Sequence, residues 1–466
     1  MRSFPVLLTA CFLLQPGVLM ANTGENAPKP NFLFLLVDDL GWADLGCYGS
    51  TFHETPHLDR LAKEGVRFTD AYTAASICSP TRASLMTGKH PVRVDITDWI
   101  PGSSGQGHRM KTPQDTHQLA LEEVTIAEAL KEGGYSTFYT GKWHLGGKAF
   151  SPDKQGFDEY YDPHHDPSRG SPGKGRTTGR KHATIDLTRE TKSFIRRNRD
   201  DPFFAYLAYY DIHTPIIAEK NYQEHYTRKA ALLGPSPKPI REHDGVSRPR
   251  QDNAALASMV QAVDDSVGEL VAHLGELGIL ENTYVFFFSD NGGLCTKNTV
   301  GPGCNLPLRA SKGWLYEGGI RVPLIVRQPG KKNAGAQPTD YVLSTDLYPT
   351  LLGLASLPLR PGQHADGRSF EDLLVGDKSR KAPRRLYWHY PHYHGSTWTP
   401  GAAIRDGDWK LIEFYHYGKV ELYNLKDDLG EAKDLAARFP GRTRELRQRL
   451  RVWQEETGAR MPTPRE

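Results

Sequence analysis

Four apolar segments of the chain share one layout, in which a run of β-prone residues ends in a cluster of polar residues. Parallel strands of an open α/β sheet place their carboxyl ends along one edge, where active sites form. The shared layout therefore predicts neighbouring buried strands whose polar ends meet. The runs with their polar ends are 31–37 with Asp38 and Asp39, 135–140 with Lys142 and His144, 203–210 with Asp211 and His213, and 283–288 with Asp290 and Asn291.

Helical patterns alternate with these runs, at residues 124–132 and 254–277, where apolar residues recur every three or four positions. Alternating strands and helices are typical of an α/β fold. We therefore expect a large, mostly parallel mixed sheet sandwiched by helices. The polar stretches 162–180 and 233–250 are rich in Pro, Gly and Arg, and we interpret them as surface insertions.

The pattern changes after a Lys- and Arg-rich stretch at residues 376–383. Three short runs, 386–389, 409–413 and 421–425, are typical of antiparallel strands, and residues 443–457 are typical of a helix. We expect the main α/β domain to occupy residues 22–380. Residues 381–466 are predicted to form a smaller α+β subdomain, with an antiparallel sheet and a helix.

Composition narrows the function more than the fold. A chain of 466 residues is long enough for a large domain and a small one. Its net charge of +3, without a long basic run, gives no electrostatic footprint for nucleic acid. A small-molecule or glycan substrate is therefore favoured over a nucleic-acid partner.

The first 21 residues have the layout of a secretory signal peptide. Arg2 precedes an apolar run at 4–14, and Ala21 is a small residue suited to cleavage. We expect an exported protein, periplasmic or extracellular. Residues 8–11 also resemble a lipoprotein box, so lipid anchoring through Cys11 is an alternative. No later run reaches the roughly 18 apolar residues of a membrane helix, so no stable membrane insertion is expected.

The other cysteines do not decide whether the protein contains a disulfide. Cys295 and Cys304 flank the loop 301–303 and could form a disulfide in an exported protein. Cys47 has no obvious partner. No spacing of Cys and His is typical of a zinc site.

The segment Cys78-Ser79-Pro80-Thr81-Arg82 carries candidate chemistry. Pro80 suits a first helical turn, which places Cys78 near a helix N-terminus, where backbone N–H groups favour negative charge. Arg82 lies about one turn further on. On these residues alone, Cys78 is either a low-pKa nucleophile or a small buried residue beside a solvated arginine.

Oxygen-bearing side chains at two strand ends predict a metal site. Asp38, Asp39, Asp290 and Asn291 offer only oxygen ligands, which favour calcium or magnesium over zinc. Either pair taken alone could instead cap a turn or a helix. Their expected convergence at one edge of the sheet favours the metal.

Lys142 and His144 alternate along an extended segment and would point to one side of it. That arrangement suits the holding of an anion and the transfer of a proton. The alternative is a pair of exposed loop residues.

Two segments identify a family resemblance. Residues 78–89 and 134–146 closely resemble the two signatures of the type I formylglycine-dependent sulfatases, within the alkaline phosphatase superfamily. The resemblance extends over essentially the whole mature chain, including residues 211–215 and 311–323. Thr81 stands where serine is commoner in the family, and this departure is not expected to block maturation.

The resemblance implies hydrolysis of sulfate esters by a sulfuric ester hydrolase. A separate maturation enzyme would oxidise Cys78 to formylglycine, whose hydrate is the nucleophile, because a plain thiol would not serve. Calcium is implied in preference to magnesium. The metal ligands implied are Asp38, Asp39, Asp290, Asn291 and residue 78 itself.

The resemblance also implies a role for each remaining polar residue. Arg82 and Lys142 would stabilise the nucleophile and the developing charge. His213 and Lys312 would bind the sulfate and help to protonate the leaving alcohol. His144 would take the proton whose loss expels sulfate and regenerates the aldehyde.

Segments 96–102 and 388–395 resemble parts of exported bacterial sulfatases that act on polysaccharide fragments. We hypothesise that His389, His392 and His394 lie beside the pocket and that the substrate is a galactose or N-acetylgalactosamine sulfate. The alternative for this His and Tyr cluster is packing at a subdomain junction. For the whole chain, a phosphodiester or phosphonate hydrolase and a non-catalytic glycan-binding relative are the competing functions.

Overall fold

The computed structural model describes residues 29–102, 107–164, 183–376 and 384–465. The predicted signal peptide 1–21, Cys11, the predicted domain boundary at 380/381 and most of the predicted insertion 162–180 lie outside these residues. Among the helices of the described part, we find none with the length and apolar character needed to cross a bilayer.

The strands are numbered in chain order. They are β1 (Asn31–Val37), β2 (Val66–Phe68), β3 (Ala71–Tyr72), β4 (Met110–Lys111), β5 (Ser136–Gly141), β6 (Glu159–Tyr161), β7 (Phe203–Ala208), β8 (Ile240–Glu242), β9 (Gly245–Ser247), β10 (Thr283–Ser289), β11 (Thr296–Lys297), β12 (Leu324–Arg327), β13 (Val342–Leu343), β14 (Arg385–Tyr390), β15 (Gly401–Asp406), β16 (Trp409–Phe414), β17 (Lys419–Asn424) and β18 (Thr463–Pro464).

The helices are numbered in the same way. They are α1 (Pro56–Glu64), α2 (Cys78–Thr87), α3 (Ile126–Glu132), α4 (Ala183–Arg197), α5 (Lys220–Ala231), α6 (Ala254–Glu276), α7 (Glu317–Ile320), α8 (Leu347–Leu354), α9 (Glu371–Val375) and α10 (Pro440–Thr457).

Seven strands form the main sheet, in the order β2-β12-β10-β1-β7-β5-β6. The four predicted runs are the four adjacent strands β10, β1, β7 and β5, and all four are parallel. Strand β12 runs antiparallel to both of its neighbours, β10 and β2. The prediction of a large, mostly parallel mixed sheet is confirmed.

The central strand β1 shows why this sheet is buried on both faces. Phe34 packs into one apolar cluster and Leu35 into the cluster on the opposite face, as expected where side chains alternate along a strand. Helices α2, α3 and α8 supply residues to the first cluster, and α1, α4 and α6 supply residues to the second. The sheet is therefore sandwiched by helices, as predicted.

The C-terminal sheet has four antiparallel strands in the order β14-β15-β16-β17. Helix α10 packs Leu446 and Leu450 against Ile404 and Leu411 on one face of it. Three of the four strands match the predicted runs. Strand β15, the sequence Gly-Ala-Ala-Ile-Arg-Asp, was not predicted from the sequence, because its small residues give little β-propensity.

The other face of this sheet packs on the main domain through an apolar cluster that includes Trp388, Ile412 and Trp314. A buried ion network lies in the same junction. The Lys410 ammonium is 2.9 Å from carboxylate oxygens of both Glu317 and Glu431, and all three side chains are fully buried. A buried charge without partners is costly, and the contacts between Lys410 and the two carboxylates offset that cost.

The predicted insertion 233–250 contains two short strands. Strands β8 and β9 form a hairpin that pairs with β11 in a three-stranded sheet. Cys295 and Cys304 lie beside it as free, buried thiols, so the structure does not contain the disulfide considered from the sequence. The Cys295 thiol instead donates to the Ala310 carbonyl at 3.0 Å.

Candidate active site

The ends of the four central strands bring the predicted site residues together. Asp38 and Asp39 directly follow β1, and Asp290 directly follows β10. Lys142 directly follows β5, and His213 lies five residues beyond β7. Because these strands are adjacent and parallel, their polar ends meet at one edge of the sheet.

Cys78 is the first residue of α2 and is 2% exposed. Its sulfur and carboxylate oxygens of Asp38 and Asp290 all lie within 4.8 Å of one another. Burial raises the pKa of the Cys78 thiol. Lys142 and Lys312 lower it, whereas the Asp38 and Asp290 carboxylates raise it, and the net pKa is raised. A thiolate is therefore disfavoured at this position, which argues against Cys78 acting as an ordinary cysteine nucleophile.

Two cations bind the carboxylates next to Cys78. Arg82 donates from Nε to Asp290 Oδ2 at 2.9 Å, and the Lys142 ammonium is 2.5 Å from Asp38 Oδ2. Arg82 also donates from Nη1 to the Lys142 carbonyl. Burial opposes ionisation of Asp38, but Lys142, His213 and Arg82 outweigh it and lower the pKa of Asp38 well below its usual value.

Asp39 organises the opposite side of the cluster. Its Oδ1 is 2.6 Å from the Lys312 ammonium and accepts from Asn291 Nδ2 at 2.8 Å, while its Oδ2 is 3.8 Å from His213 Nε2. Burial opposes the charge on Lys312, but Asp39 outweighs it and raises the pKa of the lysine. Lys312 is therefore held as an ammonium that can donate to an anion.

Three buried oxygen atoms of this cluster accept no hydrogen bond from any described residue. They are Asp38 Oδ1, Asp39 Oδ2 and Asn291 Oδ1. Buried acceptors are almost always satisfied, so three of them at one sheet edge call for a ligand. Burial and the neighbouring Asp38 charge also raise the pKa of Asp290 to about 6, although Arg82 and Lys142 act in the opposite direction. This oxygen-only donor set fits calcium or magnesium.

His144 is held as a neutral ring with one nitrogen that has no hydrogen-bond partner among the described residues. Its Nε2 is 2.6 Å from the Ile100 carbonyl, which can only accept, so Nε2 carries the hydrogen. Its Nδ1 is buried without a hydrogen bond to any described residue. Burial first, and Lys142 second, lower the pKa of His144 to about 3, so the ring is neutral and Nδ1 is a free base.

Local backbone geometry presents these side chains. Asp39 and His144 both have positive φ, at 67° and 61°, a conformation that is uncommon outside glycine and is found at functional sites. Gly141 has φ 100°, and a Cβ there would strike the Ala208 carbonyl of the neighbouring strand. A Cβ at Gly313 would strike the His394 ring, so this glycine allows His394 to pack beside Lys312.

A cavity of about 600 Å³ opens onto this cluster. Asp38, Cys78, Lys142, His144, His213 and Lys312 all line it. His394 also lines it, and burial, followed by Lys312, lowers the pKa of His394 to about 3.

The other two histidines predicted to bind substrate lie elsewhere. The two ring nitrogens of His389 are 3.0 Å from the Arg460 carbonyl and 3.1 Å from the Gln454 amide nitrogen. His392 is 2.8 Å from the Thr97 hydroxyl through Nε2. Neither lines the cavity, in contrast to the sequence hypothesis, because both rings are buried in the junction between the C-terminal sheet and its surroundings.

Asp162, His164 and Tyr210 line the cavity although no site role was predicted for them from the sequence. Asp162 was assigned to a surface insertion, whereas the structure places it in the cavity wall, directly after the edge strand β6. Its position after a strand, in the same layout as Asp38 and Asp290, was the available signal. The strand of three residues was too short to be recognised.

Comparisons with known proteins agree with this geometry. Residues 30–357 match the family model described as sulfatase, and residues 310–456 match the one described as N-sulphoglucosamine sulphohydrolase, C-terminal. The second match begins within the first and covers the C-terminal sheet and α10.

Relatives that are 30–36% identical match most of the chain. Human arylsulfatase A is 32% identical over 92% of this chain and 87% of its own. Pig N-acetylgalactosamine-6-sulfatase is 36% identical over 79% of this chain and 69% of its own. Among solved structures, the crystal structure of Ps i-CgsB in complex with k-i-k-neocarrahexaose superposes on this chain with a TM-score of 0.72. The two sequences are 30% identical, and the match covers 91% of this chain and 92% of that one. The chain therefore belongs to the sulfatase family and is a sulfuric ester hydrolase.

Proposed function

We propose that this enzyme hydrolyses sulfate esters of carbohydrates, with formylglycine formed from Cys78 and with calcium held beside it. One observation carries the proposal: the buried Cys78 thiol lies within 4.8 Å of the Asp38 and Asp290 carboxylates, in a cluster that contains three oxygen acceptors without a hydrogen bond from the described residues. An enzyme with a thiolate nucleophile would have no use for carboxylates and oxygen acceptors around its cysteine. An oxidised residue 78 beside a bound cation would use both.

Asp38, Asp39, Asp290 and Asn291 would hold calcium, with magnesium as the less favoured ion, and residue 78 would complete the site. Bound calcium would draw a sulfate oxygen into the cluster as a Lewis acid, and formylglycine would supply a hydrated aldehyde as the nucleophile. Arg82 pairs with Asp290 and Lys142 pairs with Asp38, and these two cations would stabilise the nucleophile at position 78 and the developing charge.

The remaining residues would bind the sulfate and move protons. Lys312, held cationic by Asp39, donates to the sulfate and, together with His213, supplies the proton that the leaving alcohol needs. His144 accepts a proton at Nδ1 from the group at position 78, since its Nε2 is committed to the Ile100 carbonyl. The Ile100 carbonyl thereby fixes the tautomer that this role requires.

We propose a galactose or N-acetylgalactosamine sulfate within a glycan fragment as the substrate. The similarity to N-acetylgalactosamine-6-sulfatase supports the sugar class, and the similarity to Ps i-CgsB, solved with k-i-k-neocarrahexaose, supports an oligosaccharide. His394 at the cavity wall is the histidine that we propose to contact this substrate. His389 and His392 are left out of this proposal, because neither lines the cavity.

Export and maturation belong to the same proposal. We propose that residues 1–21 direct export, with lipid anchoring through Cys11 as the alternative, and that a formylglycine-generating enzyme acts on residues 78–82. The structure described here begins beyond that leader.

The proposed reaction is tested by producing the protein together with a formylglycine-generating enzyme and comparing an aryl sulfate with an aryl phosphodiester. Faster hydrolysis of the sulfate is expected, with activity lost in Cys78→Ala. Preferential hydrolysis of the phosphodiester would favour the related phosphodiester or phosphonate hydrolases. Turnover of neither substrate by matured protein would favour a non-catalytic glycan-binding relative.

A further inference from the structure

The loop 97–100 is held in place by side chains rather than by a neighbouring strand. Each of its four backbone N–H groups donates to a side-chain oxygen: Thr97 and Asp98 to Asp115 Oδ2 at 2.8 Å, Trp99 to Asp98 Oδ1 at 2.9 Å, and Ile100 to Ser79 Oγ at 3.1 Å. Residue 101 is a proline and has no N–H to donate. The contact with Ser79 is therefore the last anchor in this series.

Ile100 connects helix α2 to the proposed base. Its N–H is bound by Ser79, the second residue of α2, and its carbonyl is 2.6 Å from His144 Nε2. Both groups belong to one residue, so a movement of Ile100 away from Ser79 would also displace the acceptor of the His144 ring. The hydroxyl of Ser79 thus acts on the position of that acceptor.

Ser79 itself does not face the reacting atoms. Successive side chains of an α-helix diverge by about 100°, so Ser79 points in a different direction from Cys78. Cys78 and His144 line the cavity, whereas Ser79 is fully buried outside its wall. Any effect of Ser79 on the reaction must therefore pass through another residue.

The position of the Ile100 carbonyl decides which nitrogen of His144 can accept a proton. A neutral imidazole carries its hydrogen on either nitrogen, and a hydrogen bond at one nitrogen selects the tautomer. In His144 the carbonyl holds the hydrogen on Nε2 and leaves the lone pair on Nδ1. The tautomer with the hydrogen on Nδ1 could not accept a proton there.

We propose that Ser79 is a positioning residue for the base: through the Ile100 N–H, it holds the carbonyl that sets the tautomer and orientation of His144. The inference rests on the proposed sulfatase reaction, in which His144 accepts a proton at Nδ1, and adds how the base is held. Two neighbouring residues of α2 then have separate tasks. Cys78 is the precursor of the nucleophile, and Ser79 orders the base.

The first test needs no reaction and uses the full chain with Cys78 unmodified. In protein labelled with 15N-histidine, long-range 1H–15N NMR spectra report the tautomer of each ring, and the signals missing in His144→Ala identify His144. The wild type is expected to show the tautomer with the hydrogen on Nε2, and Ser79→Ala is expected to show a mixture of both tautomers. Any other tautomer in the wild type, or an unchanged His144 signal in Ser79→Ala, would overturn the assignment.

Ser84→Ala is the matched control for this measurement. Ser84 is a buried serine of the same helix, and its hydroxyl contacts the Thr81 carbonyl at 2.7 Å and the Ser344 hydroxyl at 2.6 Å. This variant removes a buried hydroxyl of α2 without touching the loop 97–100, so it should keep the wild-type tautomer. The same mixture of tautomers in Ser84→Ala would show a general loosening of the helix and would overturn the specific role of Ser79.

The second test measures hydrolysis of an aryl sulfate by matured protein, with rates divided by the formylglycine content of each variant. Ser79→Ala is expected to lower kcat about tenfold and to keep KM within about twofold of the wild type. Ser79→Thr keeps a hydroxyl and should restore most of kcat. Wild-type kcat in Ser79→Ala would overturn the proposal. Absence of turnover by the matured wild type, together with the expected change of tautomer, would instead contradict the proposed reaction and leave the positioning of His144 in place.

Discussion

Arg82 and Asp290 form a buried, forked ion pair at the centre of the site. Arg82 Nε and Nη2 both approach Asp290 Oδ2, at 2.9 Å and 2.8 Å, and both side chains are at most 2% exposed. A planar guanidinium can hold this geometry and still donate from Nη1 to the Lys142 carbonyl. The pair therefore connects the helix that carries residue 78 to the strand ends that supply the proposed metal ligands.

The first prediction follows from that fork. Arg82→Lys keeps the charge but cannot make the three contacts, so kcat on an aryl sulfate is expected to fall at least about 100-fold. Arg60→Lys, an exposed helix position, serves as the control and should keep wild-type kcat. Arg82→Lys with wild-type kcat would show that the fork is not required.

A second prediction concerns metal removal. Because Asp38, Asp39 and Asn291 carry oxygen acceptors without partners, calcium binding should stabilise the folded state, and the Tm measured in a chelator should rise by a few degrees when calcium is added in excess. Asn291→Ala should reduce that rise, whereas Asn333→Ala, outside the site, should not. Equal Tm values for the wild type with chelator and with calcium would count against the site.

The third prediction separates two histidines that the sequence had grouped together. His394→Ala removes a cavity-wall side chain and is expected to lower kcat/KM for a sulfated sugar by about tenfold. His389→Ala breaks buried contacts to Gln454 and Arg460 and is expected to lower the free energy of unfolding while leaving KM close to that of the wild type. A change in KM in His389→Ala alone would reverse this assignment.

The fourth prediction concerns stability against pH, away from the active site. Asp264 accepts hydrogen bonds from the backbone N–H groups of His57 and Leu58, but burial dominates and raises its pKa to about 7. The folded state therefore keeps this proton to higher pH than the unfolded chain. Its contribution to the free energy of unfolding is full below about pH 4 and is lost as the pH rises to about 7.

Urea unfolding between pH 4.5 and 7 measures this contribution. Asp264→Asn cannot titrate, so its free energy of unfolding should fall less steeply with pH than that of the wild type, by up to about 1.4 kcal/mol per pH unit. Asp427→Asn, an exposed aspartate, should leave the slope unchanged. Parallel curves for wild type and Asp264→Asn would contradict the raised pKa.

The sequence predicted the strand ends well because burial on both faces gives continuous apolar runs, as in β1 and β10, and because polar residues that follow such runs stand out. It could not predict the contact between His144 and the Ile100 carbonyl, since those residues are 44 positions apart and meet only through packing. It also left two interpretations open for His389, because an aromatic cluster looks alike in sequence whether it lines a cavity or packs a junction. Asp162 was missed since β6 has only three residues.

Mass spectrometry of the peptide that contains residue 78 decides whether formylglycine is formed at this position. The protein should be taken from its native host or from cells that also produce a formylglycine-generating enzyme. We expect an aldehyde or its hydrate in place of the thiol, with hydrolysis of an aryl sulfate in proportion to the converted fraction. An unmodified Cys78 in protein that hydrolyses sulfate esters at full rate would contradict it.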